Sequence, residues 1–221
     1  MGFLSRLIGQ KESTSYVRTW AKQQEKKVKN KKSLGAEDLF TSMIFAVSAF
    51  DKDFEGKANN KRNRKSQEQY DNAPYSGDAS LFEIACYFFF NADLWMYHNK
   101  PNYRQNISGF LFQQLAKLFS YALNMDNVSE LIVDRLGKYG EVATKGNNAE
   151  SYHALLSDLI RRTKYDAPPQ KYNLNSPRKD FDDSFDDIVM LKMYLLIFEK
   201  NMVMAYLLSL KDFLNYVDQN K

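Results

Sequence analysis

Leu81–Tyr97 reads LFEIACYFFFNADLWMY. Ser80 precedes it and Glu83 follows three residues later, the spacing of a capping box in which hydroxyl and carboxylate each take a free backbone N–H. Pro101 ends the segment, because proline cannot continue the hydrogen-bond ladder and restricts Lys100 before it. The stretch therefore predicts a helix over about 81–99, roughly 27 Å long. It is apolar on every side, interrupted only by Glu83, Asn91 and Asp93. A helix without a polar face is wrapped by other helices or buried in lipid. Asp93 lies near the middle, and the run is shorter than the ~20 residues a span requires. A buried core helix is the expectation. Asn91 and Asp93 sit about 200° apart around it, so they cannot serve one site on one face. A buried carboxylate must be paired or shift its pKa, and Lys100 and Arg104 are the nearby cations. That makes Asp93 the leading functional suspect.

The remaining composition supplies the material to surround that helix. In 221 residues there are five prolines and nine glycines, and no dense alternating Val/Ile/Thr runs. These features disfavour a sheet protein. Aromatics make up 14% although charged residues make up 26%, which suggests a compact core of large rings rather than disorder. Cys86 is the one cysteine. It cannot form an intrachain disulfide, fits a reducing compartment, and reads as a packing thiol rather than a nucleophile. Residues 1–10 lack the apolar core and cleavage site of a secretory leader, so cytoplasmic residence is expected.

The net charge of +4 is unevenly spread. Residues 1–66 hold 15 Lys/Arg against 7 Asp/Glu, and the rest hold 16 against 20. The basic excess belongs to the N-terminal part.

Along the chain, Phe3, Leu4, Leu7 and Ile8 fall on one side of a short N-terminal helix. Docking on the core or fraying of the terminus is expected there, in preference to peripheral membrane contact by 1–9. Residues 13–32 predict a helix whose first half is amphipathic, with Tyr16, Val17 and Trp20 on one face. Residues 36–51 predict another, with Glu37 and Asp38 at its positive end and Leu39, Phe40, Met43, Ile44, Val47 and Phe50 as its stripe. Residues 52–79 are polar, basic and turn-rich, and read as a long loop or linker. They divide an N-terminal helical arm, 1–51, from a main bundle, 80–221. Within that bundle 107–123, about 127–145 and 149–164 show helical periodicity, and Gly146 stands where a left-handed cap would end the second of these. Pro168 and Pro169 hold the connection 165–179 extended. Residues 185–218 read as one very long helix. Ile188, Leu191, Leu195, Phe198, Met202, Ala205, Ser209, Phe213 and Tyr216 trace its seam, widened by Leu196, Ile197, Val203, Met204, Leu207 and Leu208. Its charges are too frequent for a membrane span.

Candidate chemistry is sparse. Glu150 and His153 have the Glu-x-x-His spacing by which one helix face offers two metal ligands. Asp93 and His98 are the residues that would have to join them, but a di-iron bundle needs a second such motif, and Trp95 stands three residues before His98. The acidic run 180–187 better fits helix initiation than a cation loop. Gly137-Lys-Tyr-Gly140 has the GxxG form of a nucleotide clamp without the strands that clamp requires, so a turn or helix irregularity is expected. No Walker, GxGxxG or GxSxG pattern occurs, no catalytic set is legible, and no cofactor is expected. Lys26, Lys27, Lys31, Lys32, Lys61, Arg62, Arg64 and Lys65 are the residues that would line a polyanion such as nucleic acid, although few aromatics lie among them for base stacking.

The expectation is an all-α bundle of six or seven helices around a buried apolar central helix and a long C-terminal helix. Its expected role is a non-enzymatic interaction module whose partner is another protein or a second copy. A nucleic-acid-associated protein and, below it, a metal-dependent bundle enzyme are the alternatives.

Overall fold

The computed structural model describes residues 15–28, 35–58, 78–146, 151–152, 155–156 and 203–219, and every described element is helical. We number them α1 (Tyr16–Val28), α2 (Ala36–Ala58), α3 (Asp78–Asn99), α4 (Pro101–Leu123) and α5 (Val128–Thr144). Residues 151–152, 155–156 and 203–219 are also helical. The chain is an all-α bundle, and α3 is its centre. All ten residues from Leu81 to Phe90 are buried, because α3 packs on α1, α2, α4 and α5. Burial loosens towards its C-terminal end, where Tyr97, His98 and Asn99 are exposed.

Ring contacts show how the bundle closes around α3. Phe82 meets Phe119 of α4 edge-on at 5.3 Å, Tyr87 and Phe90 both meet Tyr139 of α5 at 5.3 Å, and Phe88 meets Tyr206 at 6.2 Å. Phe90 also touches Tyr152 at 5.9 Å. Such offset and edge-on pairs add to the area they bury. Val17, Met43, Ile44 and Val47 of α1 and α2 belong to the same apolar cluster as α3.

The start of α3 differs from the capping-box expectation. The helix begins at Asp78, so Ser80 lies inside it, and the Glu83 carboxylate turns inward to Arg135. Asp78 instead serves another helix. Its Oδ2 accepts from the Tyr16 N–H at 2.9 Å and its Oδ1 from the Val17 N–H at 3.2 Å, while the Ser15 hydroxyl donates to the same carboxylate. Ser15 Oγ in turn accepts from the Arg18 N–H at 3.2 Å. The free donors of the α1 N-terminus are thus satisfied partly from α3. At α2, Asp38 reaches back to accept from the Gly35 N–H at 2.7 Å.

Two further boundaries move outward. α2 runs to Ala58, so the first residues of the stretch read as a polar loop are helical; no proline interrupts them. α4 begins at Pro101 rather than near Ile107. Proline at the first helical position costs no bond, because that N–H has no intrahelical partner. Lys100 alone forms the elbow between α3 and α4, with φ −146° and ψ 57°. α5 ends close to the expected place, with Gly146 at φ +65°.

Gly137 and Gly140 lie inside α5, so the GxxG tetrapeptide is uninterrupted helix. A Cβ at Gly109, Gly137 or Gly140 would meet nothing within 4 Å. Each Gly→Ala change there is expected to stabilise the fold by about 0.5–1 kcal/mol, through lost freedom of the unfolded chain. Gly146→Ala is expected to destabilise it by about 1 kcal/mol, because its φ is positive. Urea unfolding of the four variants checks both signs.

Candidate interaction face and buried polar centre

The helix 203–219 docks through Val203, Tyr206, Leu210, Phe213 and Leu214, all buried, with Val217 partly so. At 100° per residue these six fall within an arc of about 100°. This rotation differs from the expected seam: Ala205, Ser209 and Tyr216 are exposed. The difference follows from the composition, since a helix apolar on two sides takes its rotation from its neighbours. Met204 and Leu208, on the opposite face, are 50% and 54% exposed. The C-terminal end of this helix is tied to the α3–α4 elbow. Lys100 Nζ meets Asp218 Oδ2 at 2.7 Å, and the Tyr103 hydroxyl donates to the other carboxylate oxygen.

Asp93 is held by the second of its expected cations. Arg104 grips it with Nε to Oδ1 at 2.9 Å and Nη2 to Oδ2 at 2.7 Å, and Ser108 Oγ donates to Oδ1 at 2.5 Å. Lys100 goes to Asp218 instead. Arg104 also lies 5.1 Å from the Tyr97 ring centre, a cation–π distance. Asn91 donates to the Tyr87 carbonyl at 2.8 Å. Asn91 and Asp93, two of the three polar interruptions of the apolar stretch, are therefore satisfied.

Among the described residues, the most deeply buried polar groups lie elsewhere. Arg135 of α5 and Glu83 of α3 are both wholly buried. Arg135 Nε donates to Glu83 Oε2 at 2.7 Å and Nη2 to Oε1 at 2.8 Å, a planar two-point contact. Its Nη1 donates to Asp134, which carries the network outward to Lys138 Nζ at 2.8 Å. Burial works to raise the Asp134 carboxyl, but Lys138 and Arg135 outweigh it and hold the group below the ordinary carboxylate range. The sequence places Glu83 and Arg135 52 residues apart, and no periodicity couples them.

Two groups beside this pair are kept neutral. Burial, reinforced by the Glu83 charge, pushes the Cys86 thiol and the Tyr139 phenol well above their usual ranges. Cys86 is accordingly a poor nucleophile. Burial also raises Tyr206. Among the described residues, the Tyr139 and Tyr206 hydroxyls have no hydrogen-bond partner. The consequence for pH has a definite sign. For an acid whose folded pKa is raised, the unfolded chain loses its proton first, so stability is lost as pH climbs through the unfolded value. Stability is therefore expected to fall above about pH 9, first through Cys86 and then through the tyrosines. Tyr139→Phe removes an unpaired hydroxyl and is expected to stabilise by about 1 kcal/mol at neutral pH and to flatten the alkaline decline. Urea midpoints at pH 7 and pH 10.5 test this.

The other candidate residues are scattered or lie outside the described residues. His98 is exposed at the end of α3, edge-on to Tyr97 at 5.0 Å. Glu150 and His153 fall outside the described residues, and among the described residues no three His, Cys, Asp or Glu side chains gather as a metal site. Lys26 and Lys27 lie in α1, whereas Lys31, Lys32, Lys61, Arg62, Arg64 and Lys65 lie outside the described residues, as do residues 1–9. No described helix is long and apolar enough to cross a membrane. Compared with known proteins, the chain matches no family model, no curated protein and no solved structure.

Proposed function

We propose that the chain is a non-enzymatic, cytoplasmic protein-interaction module working through the outer face of helix 203–219. One observation supports this reading: Met204 and Leu208, one turn apart, each leave about half their surface in solvent on a helix already anchored by its other side. Large unbranched and branched apolar side chains at i and i+4 are the anchors with which a helix enters a partner's groove. The rigid docking of the opposite face presents them in a fixed geometry, which lowers the cost of ordering on binding.

A photo-crosslinking residue at position 208 in the expressing cell tests the reading. The expected result is a discrete protein adduct that is absent in the Met204→Glu background and absent with the crosslinker at Glu141, an exposed site on α5. No adduct at position 208, or the same adducts from both positions, would overturn it.

A further inference from the structure

We propose that the partner of this face is a second copy of the chain, lying antiparallel across a twofold axis between Lys211 and Asp212. The inference rests on the interaction reading above and adds its occupant.

The argument starts from rotation about the helix. Met204, Leu208, Lys211 and Asp212 fall within an arc of about 100°, on the side away from the buried residues. Lys211 and Asp212 are exposed, and neither forms an ion pair with another described residue. Their order along the helix decides the pairing. Two parallel copies in register would set lysine beside lysine and aspartate beside aspartate. Two antiparallel copies centred between them set Lys211 against Asp212 of the second copy, twice. Symmetry makes the contact self-complementary, as a twofold interface requires. The same register lays Leu208 beside Asn215 and Tyr216 of the second copy, and Met204 over the aliphatic stem of its Gln219. On the second copy Asn215 is half-buried, and Tyr216 and Gln219 are exposed. At its two ends the seam sets an apolar side chain of one copy against an amide side chain of the other, and its centre is charged. A single helix face about 25 Å long falls short of the roughly 1,200 Å² from which stable interfaces start. The dimer is therefore weak and concentration-dependent.

Sedimentation equilibrium of the full chain over a wide concentration range tests the proposal. The unaltered chain is expected to show a monomer–dimer equilibrium that weakens as salt rises. Lys211→Asp puts four acids at the axis, and Asp212→Lys puts four lysines there; each is expected to weaken the dimer about tenfold or more. An equimolar mixture of the two variants is expected to recover association as a mixed dimer. The double exchange Lys211→Asp with Asp212→Lys recovers it within one chain. Both sites are exposed, so unchanged urea midpoints are expected and separate this effect from misfolding. A strict monomer at every concentration overturns the proposal, as does a double exchange or a mixture that fails to recover. A strict monomer that still gives a Leu208 adduct with a different protein overturns this inference alone and leaves the interaction face standing.

Discussion

Arg135→Met is expected to cost the fold about 3–5 kcal/mol, among the largest losses available to a single substitution in this chain. The substitution keeps most of the side chain's volume but takes the two-point cationic partner from the Glu83 carboxylate, which is closed to solvent. Glu83→Leu leaves the buried guanidinium only its Nη1 contact to Asp134 among these acids and should cost somewhat less. The informative variant is the double one. Replacing both partners by apolar residues of similar size removes the interaction and the desolvation together, and is expected to bring stability back to within about 1–2 kcal/mol of the original. Urea unfolding at pH 7 measures all three. A single variant losing less than about 1 kcal/mol would show that the pair is not closed to water. Lys138→Gln, further out on the same network, is expected to change little, because the Lys138–Asp134 pair is open to solvent.

The second large effect is expected at Phe82. Its ring is fully buried and meets Phe119 edge-on. Phe82→Ala removes that contact and leaves a ring-sized void between α3 and α4, at an expected cost of about 3–5 kcal/mol. Phe82→Leu fills most of the space and should cost much less. The slope of the urea transition should stay the same in both, since the surface exposed on unfolding hardly changes. Truncating Leu208 to Ala, by contrast, is expected to move stability by less than about 0.5 kcal/mol. The pair of measurements separates residues that hold the bundle from residues it displays.

The central helix was legible because its evidence is local. A run from Leu81 to Phe90 with no wet side needs neighbours, and the structure wraps it completely. The ends of α5 were legible for the same reason, since periodicity stops and Gly146 follows. Misplaced features depended on distant partners. Glu83 has the spacing of a cap, and only the packing of α5 on α3 reveals that Arg135 claims it. Lys100 and Arg104 were equal candidates for Asp93 until the approach of Asp218 divided them. Residues 203–219 carry apolar side chains on more than one side, so their pattern fits several rotations. The neighbours choose one, and the exposure of Met204 and Leu208 is the result. The candidate face was thus invisible as a face, although its residues were all in view.

The Asp78 carboxylate has a kinetic consequence. It closes the N-terminus of α1 from the first turn of α3, across 62 positions of chain. Before α3 arrives, α1 lacks that support and is short enough to fray. α1 is therefore expected to consolidate late, after a long-range closure rather than from its own tendency to coil. Such coupling raises the contact order of an otherwise locally connected bundle, and makes the two helices gain and lose structure as a single cooperative unit.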